Sequence, residues 1–596
     1  MSWHCRIYRS PPRFGFVSFH HVYFTFVPLL ASIVFWVSSK SSFSISYVDS
    51  LFLVVSAMTG AGLNTVDLSK MTTWQQIMLC FLIFCGGSIW ISVWLIAARR
   101  RSFQRLLSRE YRDRPSAQTD TDSVPRPWRA TFDDVSRGEC PIDRNALSAG
   151  LGIQGGINGF RRVAQLRHVE SESRSFTVPA SVEKTSTGQD GGTADASVNE
   201  MQPICRIEYE ALSILSLVVP LYLVIWQLFG CIGLGAWIAN NRPAAAYTNG
   251  VNPWWLGVFN GISAFNNSGM SLTDTNMIPF QTAHYLLITM SFMILAGNTA
   301  YPVFLRFCLW SISRLLKSLP AGHAFTRWKP CVEYTLNYPG RVYHQLFSAR
   351  HTWWLFSMVI LLNGVSWAAF ELFGAYNPVI QSIPSGSRIL DGLFQAFAVR
   401  AGGFYVVPIA KLNIGLLVLY VIMMYLTPFP VIVTKRHGKI SEQRHQGPTL
   451  HSSGAGSLEE EERVSLCKFI TQQVRGLQAD DVGVLACAVF VISSIEASNF
   501  SRDPVSYSVF NILFETVSAY GCVGVSTGAR KKNCSFSGDW HDWSKLVLCI
   551  VMLQGRHRGL PASTDYAVRL ADKVRHRSDQ EGNETGSQKP VGVSFC

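Results

Sequence analysis

The stretch with the most pointed chemistry is Ser518-Ala519-Tyr520-Gly521-Cys522-Val523-Gly524-Val525-Ser526, a glycine-punctuated turn between two apolar segments. Glycine lets a backbone take φ > 0 and come close to whatever passes it. Potassium channels use the glycines of their TVGYG loops in this way, turning carbonyl oxygens toward a dehydrated cation. One such turn proves little in a chain with 46 glycines. Its meaning depends on the elements that hold it.

Those elements recur four times. A span of about 16–38 precedes the apolar segment Tyr47 to Met58, which is too short to cross a bilayer and of re-entrant length. Thr59-Gly60-Ala61-Gly62-Leu63-Asn64-Thr65 follows, then a long run at 73–98. The second unit has a span at 208–239, a short segment Trp254 to Phe265, the turn Asn266-Asn267-Ser268-Gly269-Met270-Ser271 and a run at 282–312. In the third, the span 352–374 leads to Ile389 to Val399, then Arg400-Ala401-Gly402-Gly403-Phe404 and a run at 412–433. The fourth has a span at 481–499, a short helix at 507–519, the opening turn and a run at 543–560.

Each unit carries Ala-x-x-x-x-Gly at its turn: Ala57 and Gly62, Ala264 and Gly269, Ala398 and Gly403, Ala519 and Gly524. Serine precedes the alanine in three units (Ser56, Ser263, Ser518), and in the same three a phenylalanine stands ten residues before the glycine (Phe52, Phe259, Phe514). Phe394 of the third is one place off. An internal repeat of this kind defines the architecture. The expected fold is an all-α membrane protein with four helix–pore-loop–helix repeats around one central pore, a fused-subunit K⁺-channel-like architecture. Irregular backbone at membrane depth is tolerated only where protein buries it or a wet cavity takes up its polar groups, and four turns meeting on an axis satisfy that condition.

Composition agrees. Of 596 residues 48% are hydrophobic and 15% charged, against about a quarter charged in soluble domains. The net charge of +13 invites a nucleic-acid reading, but the basic residues follow apolar runs, as cytoplasmic flanks do. Arg99, Arg100, Arg101, Arg105 and Arg109 follow one, and Lys435, Arg436 and Lys439 another. Nucleic acid is therefore not the expected partner. The fourteen cysteines show neither metal-type spacing nor a disulfide framework. The first span lacks a cleavage site and reads as retained.

The expected organisation is a cytoplasmic N-terminus (1–15), repeat 1 (16–98), a mostly disordered cytoplasmic linker (99–205), repeat 2 (206–317), a cytoplasmic connector (318–350), repeat 3 (351–434), a cytoplasmic linker (435–480), repeat 4 (481–561) and a cytoplasmic tail (562–596).

The units resemble those of the Trk/Ktr/HKT superfamily, and fungal Trk-type potassium transporters in particular. The residues that carry the resemblance are Ser56 to Asp67, Ala264 to Leu272, Tyr420 to Tyr425, Ser518 to Ser526, and Gly555-Arg556-His557-Arg558-Gly559-Leu560-Pro561. The resemblance implies K⁺ uptake across the plasma membrane through a multi-pass protein with a cytoplasmic N-terminus. It places Thr59, Gly60, Ala61 and Gly62, Asn267, Ser268 and Gly269, Ala401, Gly402 and Gly403, and Cys522, Val523 and Gly524 in a selectivity filter. Relatives that carry Na⁺ often have serine at the first filter glycine, so Gly62 favours K⁺. Gly60, Ala401 and Cys522 stand where hydroxyl residues are common in the family, which leaves Rb⁺ or Na⁺ permeation open. A homo-oligomer in the lipid bilayer is expected, with no cofactor, no catalytic residue and K⁺ bound only in transit.

Arg556 also has an argument of its own. The uncharged run from Leu546 to Leu553 covers roughly 12 Å of helix, well short of a core about 30 Å thick. The span is incomplete unless it continues through Arg556, and a basic side chain inside a span faces a cavity or a partner. The family places a helix arginine just below the filter, so Arg556 is expected to be a barrier in the pore; the alternative is a plain cytoplasmic flank with Arg558. Lys545, Asp67 and Asp274 are candidates for an outer vestibule, with interfacial anchoring or solvated caps as the alternatives. Asn499 and Asn533 head glycosylation sequons. Two competing functions are a weakly selective monovalent cation channel and a multi-span membrane enzyme. The enzyme would need polar catalytic clusters inside the spans, where this sequence has glycine turns.

Overall fold

Four short helices set the plan: Tyr47–Thr59, Pro253–Phe265, Ser385–Phe397 and Val509–Tyr520. Each is only three to four turns long, so its ends matter. Ser46, Asn252 and Ser508 cap three of them by accepting hydrogen bonds from first-turn amides, which satisfies donors that a helix start leaves free. The third begins after Pro384 and has no side-chain cap. Phe52, Phe259, Phe394 and Phe514 are all fully buried, so the one-residue offset of Phe394 does not change its burial.

Around these helices stand the spans of this computed structural model, which describes residues 16–39, 43–112, 192–320, 325, 328–434, 481–530 and 533–558. The segments 1–15, 113–191, 435–480 and 559–596, and with them Lys435, Arg436, Lys439 and Gly559 to Pro561, lie outside the described residues. Four helices are long and apolar enough to cross a membrane: Val17–Val37, Ile207–Asn241, Ala349–Gly374 and Ile414–Thr434. In the fourth unit both spans are shorter, Asp481–Ile495 and Asp542–Arg556. All the described helices are part of an all-α membrane fold. One continuous apolar core draws on all four units, while residues such as Phe81, Ile232, Trp353, Phe490 and Ile550 stay exposed on the outside, where lipid is the solvent.

Two expectations need correction. The second spans of units 1 and 2, read as continuous runs, are broken into Thr73–Gly86 and Ser88–Arg112, bent by 54°, and His284–Gly297 and Tyr301–Ser318, bent by 88°. The cause is close backbone contact with the short helices. A Cβ on Gly86 would lie 1.9 Å from the Met58 carbonyl oxygen, and one on Gly297 1.6 Å from that of Phe265. Next, the first linker does not begin at 99, because helix runs through the arginine cluster to Arg112 and starts again at Gly192. The connector, for which no secondary structure was expected or excluded, holds helices at Lys329–Asn337 and Pro339–Val342. Arg99 is bonded to the carbonyls of Arg341 and Val342 (3.0 Å to the latter), and Arg306 to that of Phe347 at 2.6 Å. These arginines therefore cap connector carbonyls as well as flanking the spans.

Candidate functional site: a ring of glycine turns

The C-termini of the short helices meet. In units 1, 2 and 4 the helix closes with a bond from the sixth residue's amide to the first residue's carbonyl: Ala61 to Ser56 (2.9 Å), Ser268 to Ser263 (2.9 Å) and Val523 to Ser518 (3.0 Å). This is the Schellman ending, which requires a left-handed residue one place earlier. Gly60, Asn267 and Cys522 occupy that place at φ +74°, +56° and +52°. The repeat serine is thus the residue whose carbonyl closes the turn. Its hydroxyl joins in: Ser56 Oγ donates to Leu63 O at 2.7 Å, and Ser518 Oγ accepts from Gly524 N at 3.2 Å. The third unit ends differently, with a π-helical turn Ala398–Gly402 closed by Gly403 N to Ala398 O at 2.8 Å.

Two residues beyond each left-handed position, and directly after the π-turn, comes the repeat glycine. Gly62, Gly269, Gly403 and Gly524 have φ of +72°, +80°, +72° and +97°. Their Cα hydrogens face the neighbouring units. A Cβ on Gly62 would lie 1.7 Å from Ser268 O and 3.1 Å from the Cα of Gly524. On Gly269 it would lie 2.5 Å from the Cα of Gly403 and 2.8 Å from Gly402 O; on Gly403, 2.1 Å from Val523 O; on Gly524, 2.8 Å from Ala61 O. The four glycines therefore form a closed ring. The carbonyl oxygens of Ala61, Ser268, Gly402 and Val523, each the residue before its glycine, converge in it. The short helices also aim their C-termini there, the end at which the helix dipole favours a cation.

On one side of the ring lie the loops. Asn64 and Ser535 join units 1 and 4 through Ser535 N to Asn64 O (2.8 Å) and Asn64 N to Ser535 Oγ (3.0 Å). Met277 N donates to Tyr405 O at 3.1 Å, joining units 2 and 3. Asp67 and Asp274 meet here through the Ser69 hydroxyl, 2.7 and 3.2 Å from their oxygens. Burial opposes ionisation of Asp67, but Ser69 and Lys70 outweigh it and hold its carboxyl below the usual carboxylate value. Burial, followed by the charge of Asp67, pushes Asp274 above it. Lys545 does not join this pair. Its side chain is 7% exposed and its ammonium lies 2.8 Å from Asp49, in the first turn of the first short helix. It ties the fourth unit's second span to the first unit. Asn533 is exposed and its amide donates to Asp274 at 3.0 Å, whereas the Asn499 amide is held by Glu496 at 2.6 Å.

On the other side lies Arg556. The final helix continues to it, and its guanidinium is bonded to the carbonyl of Gly86 at the break of the first unit, with Phe24 5.5 Å from its centre. His20, His21 and His557 surround this point; the His21 and His557 rings stack at 3.9 Å. Gly555 lies against the Tyr520 carbonyl, where a Cβ would come within 2.0 Å.

Two sets of residues escaped the sequence reading. Gly86 and Gly297 sit against the residue that follows the repeat alanine (Met58, Phe265), as Gly555 of the Gly-Arg motif does against Tyr520; a glycine recurring in three second spans was the available signal. Gln395 and Glu515, each following the buried phenylalanine, accept from Val406 N at 3.0 Å and Ser537 N at 3.1 Å and so fix the backbone beyond the ring. A polar side chain at that apolar position was their signal.

Fold and ring define a class: an all-α membrane protein whose four helix–loop–helix repeats close around one axis. Residues 198–576 match the TrkH family, described as cation transport protein, and the chain belongs to it. It is 31% identical over 376 residues to the potassium transporter TRK1 of Candida albicans, covering 63% of this chain and 35% of that protein. To the low-affinity potassium transport protein of Saccharomyces cerevisiae it is 32% identical over 398 residues, 62% of this chain and 44% of the other. The chain thus spans less than half the length of these relatives. The crystal structure of the potassium transporter TrkH from Vibrio parahaemolyticus aligns over 94% of this chain and 85% of its own, with 14% identity and a TM-score of 0.43.

Proposed function

We propose that this chain carries K⁺ across the plasma membrane through the glycine ring, with the carbonyls of Ala61, Ser268, Gly402 and Val523 taking the place of hydration water. The observation that carries this reading is the convergence of four equivalent carbonyls, one per repeat, on a ring whose glycines leave no room for a side chain. The named relatives are potassium transporters, which supports K⁺ as the ion. In this reading the loop side faces outward and Arg556 inward, and the N-terminus is cytoplasmic. Uptake is driven by membrane potential, worth about 2.3 kcal/mol per charge per 100 mV. No cofactor takes part, and the protein transports without catalysing a reaction.

Weaker selectivity, admitting Rb⁺ and some Na⁺, is favoured by one feature of the ring's inner edge. Gly60, Ala401 and Cys522, each two residues before its repeat glycine, bring no hydroxyl, and the Thr59 hydroxyl is turned back on Val55 O at 2.7 Å. The test is growth of K⁺-uptake-deficient cells on limiting K⁺ while they express the chain. Rescue is expected; no rescue despite surface expression would overturn the assignment.

A further inference from the structure

Beneath the ring, one carboxylate holds two parts of the fourth unit. Asp481 begins the short first span of that unit. Its Oδ1 accepts the Tyr520 hydroxyl at 2.6 Å, and its Oδ2 accepts Nε and Nη2 of Arg558 at 3.1 and 2.8 Å. Tyr520 is the last residue of the fourth short helix, two before the left-handed Cys522. Arg558 stands two residues beyond Arg556. Its guanidinium centre also lies 4.6 Å from the Tyr520 ring, 5.2 Å from Tyr425 and 5.5 Å from Phe429, a cation–π enclosure that reaches into the third unit. The pair is sheltered, at 6% exposure for Arg558 and 14% for Asp481. Removing one partner of such a pair leaves the other charge uncompensated.

Resting on the transport reading above, we propose that Asp481 is a positioning residue for the cation path. Through Tyr520 it fixes the turn Cys522–Gly524, and through Arg558 it fixes the end of the helix that presents Arg556 to Gly86. The two contacts act on different functions. The Tyr520 bond bears on ion discrimination, because that residue leads directly into the ring. The Arg558 bond bears on rectification, because it sets where Arg556 sits. The two arginines are bonded on opposite sides, Arg556 to the first unit and Arg558 to the fourth and third, so the helix end is held from both.

The experiment measures K⁺ and Na⁺ currents and surface abundance for wild type, Asp481→Asn, Tyr520→Phe and Arg558→Gln in cells lacking their own K⁺ uptake. Tyr520→Phe removes a single oxygen and keeps the ring, so it tests the idea even where Asp481→Asn fails to reach the surface. The expected result is a K⁺/Na⁺ permeability ratio reduced about tenfold in Tyr520→Phe with its rectification kept, as befits loss of a hydrogen bond to a charged acceptor. Arg558→Gln should change rectification with the ratio kept, and Asp481→Asn should change both. Variants whose surviving surface molecules keep wild-type ratio and rectification would overturn the proposal, leaving these residues a purely structural part. A wild type that carries no K⁺ would instead overturn the transport reading, and this proposal with it.

Discussion

The glycine ring and the layer beneath it are built on opposite plans. In the ring every unit contributes the same thing, a left-handed glycine and the carbonyl before it. Beneath it the units diverge: units 1 and 2 break their second spans, unit 3 closes Thr427 Oγ1 onto Arg400 O at 2.6 Å, and unit 4 runs unbroken past Gly555 to Arg556. On the transport reading proposed above, coordination of an ion on an axis needs like ligands all round, which accounts for a repeat kept in the ring. A barrier needs only one side chain, so the repeat is free to diverge below. Even the ring's supports show this division. The third unit reaches the same glycine conformation by a π-turn, while the other three use Schellman endings.

The comparison can be broken most severely at the ring. Gly403→Ala should abolish uptake, since a left-handed alanine costs about 1–3 kcal/mol and its Cβ would collide with Val523 O. Gly364→Ala, in a span position with nothing within 4 Å, is the control and should transport normally; rubidium uptake per surface molecule separates the two. Below the ring the effect should be on the barrier. Arg556→Ala should raise K⁺ flux about tenfold and weaken its voltage dependence, as befits removal of a buried charge; unchanged currents would exclude a barrier role.

Gly86→Ala should give a smaller change of the same sign, because its Cβ would push against Met58 O and shift the carbonyl that holds Arg556. Overpacking of this kind costs about 1–3 kcal/mol, and the two variants can be compared in one voltage series. The smallest effect is expected at the loop side. Asp274, raised above the usual carboxylate value, loses its charge first as external pH falls, while Asp67 keeps its own. Uptake at low K⁺ should therefore decline on mild acidification, and Asp274→Asn should lower it about twofold at neutral pH and flatten that decline.

What could be read from the sequence follows the same division. The ring was legible because it repeats: Ala-x-x-x-x-Gly four times marks the same turn, and the serine in three units is the residue whose carbonyl closes it. The layer beneath was legible only where a charge interrupts a span, as at Arg556. Hydropathy ran through the breaks at Gly86 and Gly297, since both sides of each break are apolar and the cause is contact with a distant carbonyl. The ion pair of Lys545 was hidden for a related reason, because its partner Asp49 lies almost the whole chain away. The clamp of Asp481, Tyr520 and Arg558 joins residues from three elements, and no local pattern announces it.

The central claim is that four quarters make one filter. It is tested most directly by the K⁺/Na⁺ permeability ratio of four single variants, Gly62→Ser, Gly269→Ser, Gly403→Ser and Gly524→Ser, each measured beside wild type at matched surface abundance. The account predicts that every one of them loses discrimination or conducts nothing, whichever unit is altered. A single variant that conducts K⁺ with wild-type preference would show that its unit stands outside the cation path, and would contradict the ring as the filter.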